Sequence, residues 1–113
     1  MRTLFTALAV AGLFVQAGAS SLRIVNSTGG WDLMTVYVSP FGATGWGEDR
    51  LGDSTLTEGE SMTIELPTGI YSIRLIDEDG DTYTRRNTPV MGAVEWAVTL
   101  DDLDGSAPCY TGG

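Results

Sequence analysis

Met62-Thr63-Ile64-Glu65-Leu66-Pro67-Thr68-Gly69-Ile70-Tyr71-Ser72-Ile73-Arg74-Leu75 is the stretch on which the fold turns. Met62, Ile64 and Leu66 alternate with Thr63 and Glu65; Tyr71, Ile73 and Leu75 alternate with Ser72 and Arg74. Successive side chains of a strand point to opposite faces, so each run predicts a strand with one buried face. Pro67 cannot donate to a sheet ladder and Gly69 accepts sharp turns, so Pro67-Thr68-Gly69 divides the stretch into two strands.

The same period extends outward in both directions. Met34, Val36 and Val38 alternate with Thr35 and Tyr37, while Val94, Trp96, Val98 and Leu100 alternate with Glu95, Ala97 and Thr99. Leu22 and Ile24 start a shorter run that ends at Asn26-Ser27-Thr28-Gly29-Gly30, and Thr82 to Arg86 is a weaker strand with Tyr83 as its apolar member. Beyond a turn near Asp101-Asp102-Leu103-Asp104, nothing after the leader has helical spacing. These runs predict an all-β fold, a small antiparallel β-sandwich of six or seven strands, with the apolar members of each run forming the core. The twenty-one residues 39 to 59 hold only Leu51 and Leu56 as buried candidates. Loops of that length are usually functional or conceal an edge strand, here at Ser54 to Thr57.

Residues 1–19 read as a secretory signal: Arg2, the apolar Leu4 to Val15, then Ala17-Gly18-Ala19 as the cleavage pattern. Residues 20–105 then form the sandwich and 106–113 a C-terminal tail. Cleavage leaves 113 − 19 = 94 residues, and removing Arg2 leaves 5 Arg against 15 acids, a net charge of −10 with neither Lys nor His. Such a chain should be exported, to the periplasm or outside the cell. Its acidity argues against nucleic acid and anionic lipid, and no later stretch is long and apolar enough for a membrane span. Without His and Lys the commonest general base, the commonest transition-metal ligand and Schiff-base chemistry are missing together. We therefore expect no catalysis and no obligatory cofactor. Asp53-Ser54-Thr55 resembles an aspartic-protease triplet, but Thr55 stands where Gly is needed, and nothing singles out a glycosidase-type pair among the acids.

Other motifs allow two readings each. Asp77-Glu78-Asp79-Gly80-Asp81 is either a tight hairpin turn or a Ca²⁺ site held by Asp77, Asp79 and Asp81; an EF-hand is excluded because Thr82 and Thr88 replace its Gly and Glu. Gly45-Trp46-Gly47 reads in one way as a plug in which Trp46 folds over one end of the sandwich. The alternative is a glycan-binding set in which Trp31, Phe41 and Trp46 offer rings to sugar faces while Glu48 and Asp49 accept hydroxyl hydrogens. Asn26-Ser27-Thr28 fits a glycosylation sequon as well as a turn, and Arg85-Arg86 is the one dense positive spot. Cys109, the sole cysteine, permits no internal disulfide and reads either as an inert tail thiol or as a link between chains.

Leu66-Pro67-Thr68-Gly69-Ile70-Tyr71 resembles the Leu-Pro-x-Gly-x-Tyr segment of fibronectin type III and related sandwiches. That resemblance implies structural roles for Gly69 and Tyr71, with the Tyr71 hydroxyl bonding back to the main chain where it crosses between sheets. Together with Asn26-x-Thr28-Gly29, Val36-Tyr37-Val38-Ser39-Pro40 and the Trp46 loop, it is similar to a group of small secreted bacterial β-sandwich proteins of uncharacterised function, over roughly residues 22 to 86. The likeness implies an immunoglobulin-like or fibronectin type III-like sandwich and an exported location, and no activity. The expected role is structural or protein-interacting, through a protein partner or self-association; glycan binding and a calcium-stabilised envelope protein are the alternatives.

Overall fold

The computed structural model describes residues 19–105. The proposed signal, apart from Ala19, and the 106–113 tail with Cys109 lie outside the described residues. Six strands follow in order: β1 Ala19–Asn26, β2 Leu33–Pro40, β3 Ser61–Pro67, β4 Gly69–Asp77, β5 Thr82–Val90 and β6 Ala93–Val98, then a short 3-10 helix, Leu100–Asp102. They form two three-stranded sheets, β3-β1-β6 and β2-β4-β5, packed face to face as a small sandwich. Three of the four strand pairings are antiparallel, and β1 pairs with β6 in parallel. Alternation reports which side chains turn inward and carries no information about strand direction, so that parallel pair could not be read from the sequence.

Leu22, Ile24, Ile64, Leu66, Trp96 and Val98 of one sheet meet Val36, Val38, Tyr71, Ile73, Leu75 and Tyr83 of the other, all buried. Leu56 also enters the core from the long loop, with Leu51 packed beside it. Two expected core members are corrected. Met34 is 43% exposed while Leu33 is fully buried, because an irregularity between Leu33 and Thr35 changes the phase of β2. Leu100 lies beyond the end of β6, on the 3-10 helix, and is exposed. β5 runs to Val90, four residues past the expected end, and the expected strand at Ser54 to Thr57 reduces to a single bridge between Leu56 and Leu33.

Polar anchors hold the connections. The Tyr71 hydroxyl donates to the Pro67 carbonyl at 2.7 Å, across the passage from β3 in one sheet to β4 in the other. A Cβ on Gly69 would meet the Tyr71 ring at 3.5 Å, an ordinary contact, so sterics alone do not demand glycine there. Asn26 is fully buried: Nδ2 donates to the carbonyls of Trp31 and Leu56 at 2.7 and 2.8 Å, and Oδ1 accepts from the Thr28 N–H and hydroxyl. An amide so engaged is not accessible to a glycan, and the sequon is a structural turn.

Two of the four edge strands are covered over the first part of their length. Along β2, Leu33 and Leu56 exchange backbone bonds, Val36 N–H donates to Asp49 Oδ1 and Arg50 N–H donates to the Val36 carbonyl. Along the start of β5, Thr84 N–H donates to Asp104 Oδ1 and Asp104 N–H to the Thr82 carbonyl. Covered edges cannot recruit a further strand.

Candidate functional site

The site lies on the outer face of the β2-β4-β5 sheet, and a bulge builds it. Tyr71 is opposite Thr88 and Ile73 is opposite Arg85, so the single residue Ser72 faces two, Arg86 and Asn87. Asn87 has φ +53°, the only non-glycine residue with positive φ among those described. Asparagine is among the few side chains that tolerate this region, and such strain concentrates at functional positions.

Trp46 closes one side. Ser39 Oγ donates to the Gly45 carbonyl at 2.8 Å, and Asp49 Oδ1 accepts from the N–H groups of Val36 and Leu51, so the loop is tied down on both sides of the tryptophan. Between these ties the half-buried indole lies 6.2 Å from the Tyr37 ring, on the sheet face, and does not plug an end of the sandwich. The guanidinium carbons of Arg74 and Arg86 stand 4.9 and 5.6 Å from its ring centroid, a cation–π arrangement that orients both cations. Phe41, 71% exposed, forms the other wall. A depression of about 280 Å³ lies between them, with Ser39, Ser72, Arg86 and Asn87 on its floor and sides.

The depression opens beside an apolar row. Phe41 N–H donates to the Ile70 carbonyl at 2.8 Å, extending the β2–β4 ladder, and Ile70 pairs with Pro89. Tyr71 and Val90 point into the core, so Ile70 and Pro89 point outward, and Phe41, Ile70 and Pro89 stand exposed across the sheet. Exposed Met91 follows two residues later.

Among the residues singled out from the sequence, Phe41 and Trp46 come together, with Glu48 exposed nearby in the chain. Trp31 does not join them. It precedes β2 whereas Phe41 follows it, and eight extended residues between them span roughly 26 Å. Asp49 Oδ1 is engaged in fastening the loop.

The acidic turn is closed upon itself. Asp77 is 4% exposed; Oδ1 accepts from the N–H groups of Asp79 and Asp81 at 2.9 and 3.0 Å, and Oδ2 accepts from the Tyr83 hydroxyl at 2.8 Å. Asp79 and Asp81 are exposed, and no cluster of three metal-ligating side chains converges among the described residues. Burial, and then the Asp77 carboxylate, push the Tyr83 phenol far above its ordinary range. The second acidic group is likewise committed to structure. Asp102 accepts from the Trp96 indole N–H at 3.1 Å and from Thr99 N–H at the start of the 3-10 helix, with Arg85 stacked 4.5 Å over the Trp96 ring. Asp104 accepts from the hydroxyls of Thr82 and Thr84; burial opposes its ionisation, but these bonds, the Thr84 N–H and Arg74 outweigh it and hold the carboxyl below the usual range.

Sequence reasoning missed Ser72 and Asn87, and saw Arg86 only as charge. A bulge has no periodic signature; Asn87 in the sequence Arg-Arg-Asn-Thr was the one local hint. No family model, curated protein or solved structure is significantly similar to the chain. Function must therefore be argued from the site itself.

Proposed function

We propose that the protein is an exported, non-enzymatic interaction module that docks a protein partner on the outer face of its β2-β4-β5 sheet. The observation carrying this reading is the exposed Phe41–Ile70–Pro89 row beside a depression walled by Trp46 and Arg86. Aromatic side chains and arginine are among the residues enriched where proteins meet, and this face gathers Phe41, Trp46 and Arg86. Export rests on the leader pattern of residues 1–19. The covered first parts of the β2 and β5 edges favour docking on the face over strand addition there. The distance between Trp31 and Phe41 weighs against one extended glycan platform, and the engaged oxygens of Asp77 weigh against calcium.

Photocrosslinking tests the assignment. A photoreactive phenylalanine analogue replaces Phe41 in one variant and Thr63, exposed on the opposite sheet, in a control, and both are irradiated in cells that export the protein. We expect a discrete protein adduct from position 41 alone, at twice the monomer mass if the partner is another copy. No adduct at position 41, or equal adducts from both positions, refutes the proposed face.

A further inference from the structure

We infer that the depression is a receptor for a carboxylate side chain, carried by an acidic residue next to an apolar one in the docked partner. The inference rests on the interaction reading above and names the partner's chemistry.

Three polar groups converge without partners among the described residues. The Ser72 hydroxyl and the Asn87 amide make no side-chain hydrogen bond, and the Arg86 guanidinium has no carboxylate in ion-pairing range, its contact being the Trp46 ring. Glu48, in the same loop, pairs with neither Arg74 nor Arg86. Stacking explains how Arg86 is held: the indole restricts the guanidinium without consuming its N–H donors. Guanidinium, amide and hydroxyl together can donate to both oxygens of one carboxylate, and a planar donor fork suits that bidentate geometry.

The surroundings favour a side chain over a whole small molecule. The depression holds about 280 Å³, at the lower edge of the ~300–1,000 Å³ of ligand pockets, and is open to solvent beside an apolar row. A free diacid would also leave the adjoining row of Phe41, Ile70 and Pro89 unused, whereas a peptide can set its acidic residue on Arg86 and an apolar neighbour on that row. The excess negative charge of the domain repels an acidic partner at long range, but physiological salt screens beyond ~8 Å. At contact the Arg86 guanidinium, held over the Trp46 ring at the edge of the depression, supplies the local positive charge.

The test is heteronuclear NMR of the isotope-labelled protein titrated with three probes: a blocked hexapeptide containing Glu followed by Leu among alanines, the same peptide with Gln replacing Glu, and free glutarate. We expect the Glu peptide to shift the side-chain N–H signals of Trp46, Arg86 and Asn87, with the Gln peptide and glutarate each at least about tenfold weaker, as loss of a charge-assisted bond or of the apolar contact requires. Arg86→Gln should weaken the Glu peptide by about tenfold or more while leaving signals of the opposite sheet in place. Should that variant fail to fold, Asn87→Gly suits the positive φ and removes one donor, and severalfold weakening is expected. Absence of shifts, equal binding of the Glu and Gln peptides, or unchanged affinity in the folded variant overturns the inference. Glutarate binding as tightly as the peptide also overturns it and assigns the depression to a small free acid. If position 41 crosslinks while Glu and Gln are not distinguished, the docking face stands and the carboxylate chemistry alone falls.

Discussion

Asp77→Ala separates a self-sufficient turn from a calcium site, because only the former needs the carboxylate in metal-free buffer. The substitution removes three bonds at once, two from the Asp79 and Asp81 N–H groups and one from the Tyr83 hydroxyl. The two amides sit in an exposed turn where water can replace the carboxylate, so each bond contributes about 1 kcal/mol net. Tyr83 is fully buried, and stranding its hydroxyl adds ~1–3 kcal/mol. The sum, about 3–5 kcal/mol, is a large fraction of the roughly 5–14 kcal/mol expected for a domain of this length. It corresponds to a fall in Tm of roughly 15–30 °C. Asp77→Asn retains an oxygen for the amides and an N–H₂ that can donate to the tyrosine oxygen, so it should lose only about 1–2 kcal/mol. Urea denaturation followed by far-ultraviolet circular dichroism, in EGTA and in millimolar Ca²⁺, provides the assay. We expect the same losses in both buffers. Wild-type stability of Asp77→Ala in EGTA, with a deficit appearing only when calcium is added, would refute the reasoning and restore the metal site.

Tyr71→Phe should cost about 1–2 kcal/mol, since it strips the Pro67 carbonyl of its donor at the crossing between sheets; a change within error of zero in urea denaturation sinks that role. Asp104 is held below its ordinary carboxyl range when folded, so the unfolded chain binds its proton more readily. Its contribution is therefore complete above the unfolded value near ~3.9 and is lost as pH falls through the lower folded value. Asp104→Asn should flatten the acid limb of stability against pH, and parallel limbs for variant and parent contradict the assignment. Asn87→Gly should leave stability unchanged or raise it by up to ~1 kcal/mol, because glycine occupies φ +53° without strain, and clear destabilisation by thermal unfolding would show that the asparagine side chain supports the fold.

How far the sequence could be read depends on whether an interaction is local. The runs around Ile64, Ile73 and Trp96 were legible because period-two patterning is a property of a few adjacent residues. The Tyr71 hydrogen bond to the main chain was anticipated through the resemblance of Leu66-Pro67-Thr68-Gly69-Ile70-Tyr71 to a known sandwich segment; the hydroxyl and the carbonyl it bonds are only four residues apart, so the motif is local. The phase of Met34 was misread for the opposite reason, since an irregularity of one residue against β4 inverts the faces and only pairing reveals it. The same applies to the site: Arg86 and Asn87 become neighbours of Ser72 only once β5 is registered against β4, and Trp46 meets Arg74 and Arg86 only once the loop lies over both strands.

By itself, the order of residues determined an acidic all-β domain without Lys or His and with a turn at Asp77 to Asp81, because composition and alternation act over short stretches of chain. Tertiary structure alone decided that β1 and β6 run parallel, that the β2 and β5 edges are covered, and that Phe41, Trp46, Ser72, Arg86 and Asn87 surround one depression. Strand partner and register come from long-range packing between segments dozens of residues apart, and the placement of side chains on a shared face follows from them.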